Sequence, residues 1–180
     1  MTAAERLDEL WQKVDAFFDR VGGRYPGALT CAPGCTDCCK RELTVTHVEA
    51  ARIEAAVARL EPDAREGLAR RATGEACVAL GEDGRCAIYE ARPVVCRSHG
   101  LPLRFVEPGA GGRRALPVLD VCPRNFGGHD LGALAADCVL DQQTLSVLLG
   151  ALDGLHAKET GLPAGRRALR DVIAASLARG

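Results

Sequence analysis

Nine cysteines in 180 residues, at positions 31, 35, 38, 39, 77, 86, 96, 122 and 138, constrain this chain more than any other feature. The first four lie in a stretch over residues 24–41 that is rich in Gly and Pro and lacks an apolar period. The segment from Met1 to Trp11 carries acids from Glu5 onward and no apolar h-region, so neither a secretory leader nor a transmembrane span is expected, and a cytoplasmic setting follows. Thiols stay reduced there, which turns a dense cysteine pattern away from disulfides and toward metal or redox chemistry. The odd count points the same way.

A thiolate is a soft ligand. Cysteines recurring after two or three residues in a loop can reach one tetrahedral ion or iron–sulfur cluster without strain. Cys31, Cys35 and Cys38 have that spacing. Cys39 differs, because neighbouring side chains in extended backbone point to opposite faces and share an ion only through a local turn. Cys77, Cys86 and Cys96 follow at roughly ten-residue steps, and Cys122 precedes Pro123, so a common metal would tie distant stretches together. Arg92 and Arg97, with Lys40 and Arg41, place positive charge near these thiols and would favour thiolates. Pro93 biases Arg92 away from helix, so the approach to Cys96 is expected to be extended or turned.

The pattern Cys31-x-x-x-Cys35-x-x-Cys38-Cys39, then Cys77, then Cys86-Ala-Ile-Tyr89-Glu-Ala-Arg92-Pro93-Val-Val-Cys96-Arg97, then Cys122-Pro123, resembles the YkgJ-like cysteine-cluster family. That family is named for a CxxCxxCC motif and described as zinc- or iron-chelating. The resemblance spans roughly residues 31–123, and its most specific part is the run from Cys86 to Arg97. The first gap here holds three residues where the family's name has two. The resemblance implies Cys31, Cys35, Cys38, Cys39, Cys77, Cys86, Cys96 and Cys122 as metal ligands, with zinc, iron or an iron–sulfur cluster as the cofactor. Sequence does not separate these metals, since each accepts soft thiolates.

The flanks read as helices. Leu7, Leu10, Trp11, Val14, Phe17, Phe18 and Val21 form one stripe that Gly22-Gly23 should end. Thr46 and Glu49 make a capping-box signature ahead of a helix over 48–60, and a short helix is expected over 63–71. Apolar runs at 101–106 and 116–121, separated by Pro108-Gly109-Ala110-Gly111-Gly112, suggest a hairpin. Leu131, Leu134, Cys138, Leu145, Leu148, Leu149, Leu152 and Leu155 suggest a helical stretch from Asp130, with an interruption near Asp141. A last helix would carry Leu169, Val172, Ile173 and Leu177. Cys138 lies on that apolar stripe and reads as a small buried hydrophobe rather than a ligand. His99, three residues after Cys96, reads as a hydrogen-bond donor to the cluster more readily than as a ligand.

The expectation is one domain over residues 1–180, mainly α with a small β hairpin. Its Cys-rich loop core over 31–123 would be organised by metal more than by apolar packing, with helical segments at 1–22 and 130–180. Lys and Arg number 23 against 24 Asp and Glu, and aromatic content is 4%, so neither a basic face nor stacking platforms for nucleic acid are indicated. The metal ion is the one partner the sequence points to. The Cys31–Cys38 spacing also occurs in radical S-adenosylmethionine enzymes, but here helices and further cysteines follow the loop, where a barrel of strand and helix units would be required. A zinc ribbon would need two similar Cys-x-x-Cys knuckles and a basic face. Three roles fit the pattern: a metal-binding module, an iron–sulfur protein for electron transfer or sensing, and a metal-dependent enzyme. No Ser-His-Asp set, carboxylate pair or phosphate loop adds separate support to the last.

Overall fold

The computed structural model describes residues 1–32, 34–71, 76–107 and 116–179. Helix α1 (Ala3–Arg24) starts at a capping box: the Thr2 hydroxyl accepts the Glu5 N–H at 3.2 Å while the Glu5 carboxylate accepts the Thr2 N–H at 2.7 Å. It buries Leu7, Leu10, Trp11, Val14 and Val21 on one face. The helix runs through both glycines to Arg24, past the expected end at 22, and the Tyr25 N–H still reaches the Val21 carbonyl at 2.9 Å. Glycine lowers helix propensity but does not forbid the last turn.

The Thr46/Glu49 box opens helix α2 (His47–Ala58), as its spacing requires. Pro62 begins α3 (Pro62–Arg70), where its missing N–H costs nothing. The five-residue helix α4 (Val94–Ser98) follows Pro93, and the long α5 (Gln142–Thr160) ends at Gly161 with φ +75°, a left-handed cap that favours glycine. Helix α6 (Leu169–Ala178) closes the chain and carries the expected Leu169, Val172 and Ile173 inward. The region from Asp130 departs from the helical expectation. Residues Leu131–Ala133 and Ala136–Cys138 are separate 3₁₀ turns, with Leu134 and Ala135 extended between them. The backbone N–H of Ala135 bonds the Tyr25 hydroxyl at 2.8 Å instead of a helical carbonyl. Apolar steps of three and four residues can thus arise from two consecutive turns as well as from one helix.

Strands β2 (Leu103–Glu107) and β3 (Leu116–Asp120) pair antiparallel, Leu103 opposite Asp120 and Glu107 opposite Leu116. This is the expected hairpin; its turn, Pro108 to Gly112, lies outside the described residues. Two further pairings extend the β content beyond that hairpin. The short β4 (Leu140–Asp141) lies parallel to β2, and β1 (Thr44–Thr46) pairs antiparallel with β5 (Arg166–Ala168). The fold is mainly helical with small sheets.

Two buried apolar clusters carry the architecture. The main one joins Leu7 and Trp11 of α1, Ile53 and Val57 of α2, Leu68 of α3, Leu149 of α5 and Ile173 of α6. The cysteine-bearing middle contributes Val78, Ala79, Ile88, Ala91 and Val94 to it, so apolar packing reaches further into this region than the cysteine pattern suggests. The second cluster is smaller: Val21, Ala28, Leu101, Phe126 and Cys138. Asp153, almost fully buried on α5, accepts the Val48 N–H at 3.0 Å and the Gly165 N–H at 2.8 Å, fastening α5 to the start of α2. Among the described residues, no helix is long and apolar enough to cross a membrane.

Candidate metal centre

The loop after α1 brings Cys31 beside the turn that contains Cys122, and Asn125 holds the two together. Its buried side chain accepts the Thr30 N–H at 2.9 Å, donates to the Gly100 carbonyl at 2.7 Å and donates to the Cys31 Sγ at 3.3 Å. Its own N–H reaches the Cys122 carbonyl at 2.8 Å. Gly100 has φ +97°, and a Cβ there would stand 2.7 Å from the Cys31 Sγ and 2.9 Å from the Asn125 Nδ2. Only glycine lets the chain leaving α4 pass so close. Burial pushes the Cys31 thiol up, the Asn125 hydrogen bond opposes this, and charge on Cys122, Cys35 and Cys38 adds to the rise. Cys35 and Cys122 also both influence Arg124, which pairs with Asp37 at 2.8 Å.

Cys77, Cys86 and Cys96 gather on the other side. The Cys77 N–H donates to the Cys39 carbonyl at 2.7 Å. A tight antiparallel turn then returns the chain: Leu80 bridges Cys86, and the Ala87 N–H reaches the Ala79 carbonyl at 2.8 Å. Cys77 and Cys86 pack against the main apolar cluster. Cys96 sits within α4, so the extended or turned approach ends at Pro93 and the candidate ligand itself is helical. The helix start is fixed by Glu49, whose buried carboxylate accepts the Val94 N–H at 2.8 Å. Burial raises the Cys86 thiol to about 11 and the Cys96 thiol to about 12, with repulsion from neighbouring thiolates adding in both cases. The Cys77 thiol is raised for the same first reason. A groove of about 510 Å³ between α3 and residues 81–87 opens beside Cys86.

Cys38 and Cys39 stand between these groups. They occupy the 3₁₀ turn Asp37–Lys40, the local turn that adjacent cysteines need to share a site. Their side chains hydrogen-bond to each other, which lowers the Cys38 thiol and raises that of Cys39. Charge on Cys38 is felt by Cys31 and equally by Cys77, Cys86 and Cys96. Cys138 is the counterexample. It is fully buried in the second apolar cluster, and the charges that act on it come from Asp137, Arg24 and Arg20 rather than from any cysteine.

The arginines of the Cys86–Arg97 run serve mainly the scaffold. Arg97 is buried, donates to the Arg92 carbonyl at 2.9 Å, to the Glu90 carbonyl and to Asp15, and lies over the Trp11 ring at 4.4 Å. Arg92 pairs with Asp15 at 3.3 Å and stacks on Tyr89 at 3.9 Å. Arg92 is a minor lowering influence on the Cys86 thiol. His99 is exposed, and its charge helps to lower Cys38. His129 packs edge-on against Tyr25 and Phe126, which is a structural role.

Among the described residues, no three His, Cys, Asp or Glu side chains form a finished coordinating group. The donor set nevertheless fits a soft cation. Thiols from separate stretches are gathered where burial and mutual repulsion oppose ionisation, and a bound cation reverses both effects.

Residues 30–107 match a family called CxxCxxCC, described as "Putative zinc- or iron-chelating domain". Over that stretch, less than half of its length, the chain is similar to this domain. The matched stretch contains seven of the eight candidate ligands, Cys31 to Cys96, and ends before Cys122, Arg124 and Asn125. Neither the curated proteins nor the solved structures give a match. Arg124 and Asn125 carry no sequence signal beyond following Cys122-Pro123; their part is visible only once Gly100 and Thr30 are beside them.

Proposed function

We propose that this protein chelates zinc or iron through the thiolates of Cys31, Cys35, Cys38, Cys39, Cys77, Cys86, Cys96 and Cys122. The observation that carries the reading is geometric: Asn125 holds Cys31 against the Cys122 turn, the Cys77 N–H bonds the Cys39 carbonyl, and the Leu80–Cys86 bridge returns Cys86 to the same place, whereas Cys138 is buried in the second apolar cluster. Most of these half-buried thiols resist ionisation on their own, and a bound cation supplies the charge that lets them act as thiolates. Zinc, iron and an iron–sulfur cluster all suit such donors. Metal and protein together would staple residues 31–122, closing loops of several tens of residues at an entropic cost that structural zinc, at roughly 10 kcal/mol or more, offsets.

Elemental analysis of anaerobically purified protein tests the reading, with at least one tightly held equivalent of zinc or iron expected. A visible absorption spectrum of the same sample separates the metals, since iron–sulfur clusters are coloured and zinc thiolates are not. Protein that holds neither metal after anaerobic preparation and reconstitution refutes the proposal.

A further inference from the structure

The eight thiols do not surround one point evenly. Cys31 and Cys122 are held by Asn125 and rest beside the smaller apolar cluster, which contains Ala28, Leu101 and Phe126. Cys77 and Cys86 pack against the main cluster, and Cys96 is set in α4 next to Val94 of that same cluster. The two groups therefore ride on different parts of the hydrophobic framework. Between them lies the Cys38–Cys39 turn, and it is tethered both ways. Asp37, next to Cys38, pairs with Arg124 of the Cys122 turn, while the Cys39 carbonyl accepts the Cys77 N–H.

We infer that the chain builds two adjacent four-thiolate centres, one from Cys31, Cys35, Cys122 and Cys38, the other from Cys77, Cys86, Cys96 and Cys39. This rests on the thiolate-chelation reading above and adds the division. The turn lies at the junction, tied through Asp37 to the Cys122 turn and through the Cys39 carbonyl to Cys77, so each of its two thiols is assigned to the group its own residue or neighbour is tied to. The Cys35 N–H bonds the Ala32 carbonyl at 3.0 Å, next to Cys31, which puts Cys35 in the first group; three ligands from each group and one from the pair then match tetrahedral sulfur sites. The first centre depends on two residues outside the matched family stretch, Cys122 as ligand and Asn125 as positioning residue. An N–H donated to a ligating sulfur fixes its direction and offsets its charge.

Cadmium, a soft divalent cation whose ¹¹³Cd nucleus reports its ligands directly, is the probe. Apo protein titrated with it should take up two equivalents and show two resonances of the all-sulfur type. Cys122→Ser or Cys35→Ser should move or remove one resonance and leave the other, and Cys86→Ser or Cys77→Ser should do the reverse. Asn125→Ala should shift only the resonance that Cys122→Ser affects. Helical circular dichroism identifies any variant that fails to fold, and the second variant of each pair then decides. A single equivalent with a single all-sulfur resonance, or both resonances lost from a folded variant of either group, overturns the two-centre division while leaving chelation intact. No cadmium, zinc or iron bound at all overturns chelation itself.

Discussion

Glu49 is where the helical scaffold and the proposed ligand set meet, and replacing it with glutamine should damage both. Its carboxylate is about 1% exposed. One oxygen accepts the Thr46 N–H and hydroxyl, each at 3.0 Å, and the other accepts the Val94 N–H at 2.8 Å. Glutamine offers one acceptor oxygen and one NH₂, so whichever way the amide turns, a donor faces a donor at Val94 or at Thr46. Leaving one buried N–H unsatisfied costs about 1–3 kcal/mol, and the surviving bond loses its charge assistance. A loss of roughly 2 kcal/mol of stability is expected, a drop of about 1 M in urea midpoint for a domain with an m-value near 2 kcal/mol/M.

Urea unfolding of the metal-free protein followed by circular dichroism measures this loss, and Glu5→Gln provides the comparison. Glu5 makes the same capping box at the start of α1, but in solvent, where water replaces what the amide gives up. Its midpoint should barely move. Metal content supplies a second readout, because the Val94 bond sets the start of the helix that carries Cys96. If Glu49→Gln shifts the midpoint no more than Glu5→Gln and retains full metal, the carboxylate is not the link between α2 and the site.

Cys138→Ser should keep its metal while losing about 1–3 kcal/mol, since a hydroxyl replaces a thiol among Val21, Leu101 and Phe126; loss of metal comparable to that of Cys86→Ser would show that packing is not its role. Gly100→Ala should weaken metal binding through Cys31, because its Cβ would collide with that sulfur and with Asn125; chelator competition showing unchanged affinity refutes this. The raised thiols set a pH dependence in the metal-free protein. Folding favours the neutral form of Cys86 and Cys96, so their contribution is whole below the ordinary value of 9.0 and is lost as the pH rises through about 11 to 12. For Cys86 this is worth up to roughly 3 kcal/mol, and an apo stability profile that stays flat from pH 9 to 12 contradicts it. Metal uptake at neutral pH should release protons from the same thiols, which a weakly buffered titration with a pH indicator measures.

How much of this was legible in the sequence depends on how local the cause is. The Thr46/Glu49 box, the stripe from Leu7 to Val21 and the last helix are set by residues within one or two turns of each other, and the structure places them close to where the pattern does. The box that starts α1 was equally local but lay ahead of the first apolar residue, Leu7, from which the stripe is counted. The stretch from Asp130 misleads because Leu131, Leu134 and Cys138 bury the same face whether spaced by a helix or by two 3₁₀ turns; the Tyr25 hydroxyl, more than a hundred residues away, decides between them. The β1–β5 pair joins three residues near 45 to three near 167, with no alternation long enough to read.

The candidate site follows the same division. Cysteine identity and spacing nominate candidate donors, but say nothing of which stretches they pack against. Arg97 illustrates the difference. Beside Cys96 in sequence, its charge is spent on Asp15 and two backbone carbonyls beneath Trp11, whereas Asn125, remote from Cys31 in sequence, donates to its sulfur. Side chains adjacent along α4 point in different directions, so neighbours of a ligand in sequence tend to become its scaffold, and its immediate partners come from segments folded against it. The organising residues of a thiolate site spread over separate stretches are for that reason best sought at the crossings of its loops, here where Thr30, Gly100 and Asn125 meet.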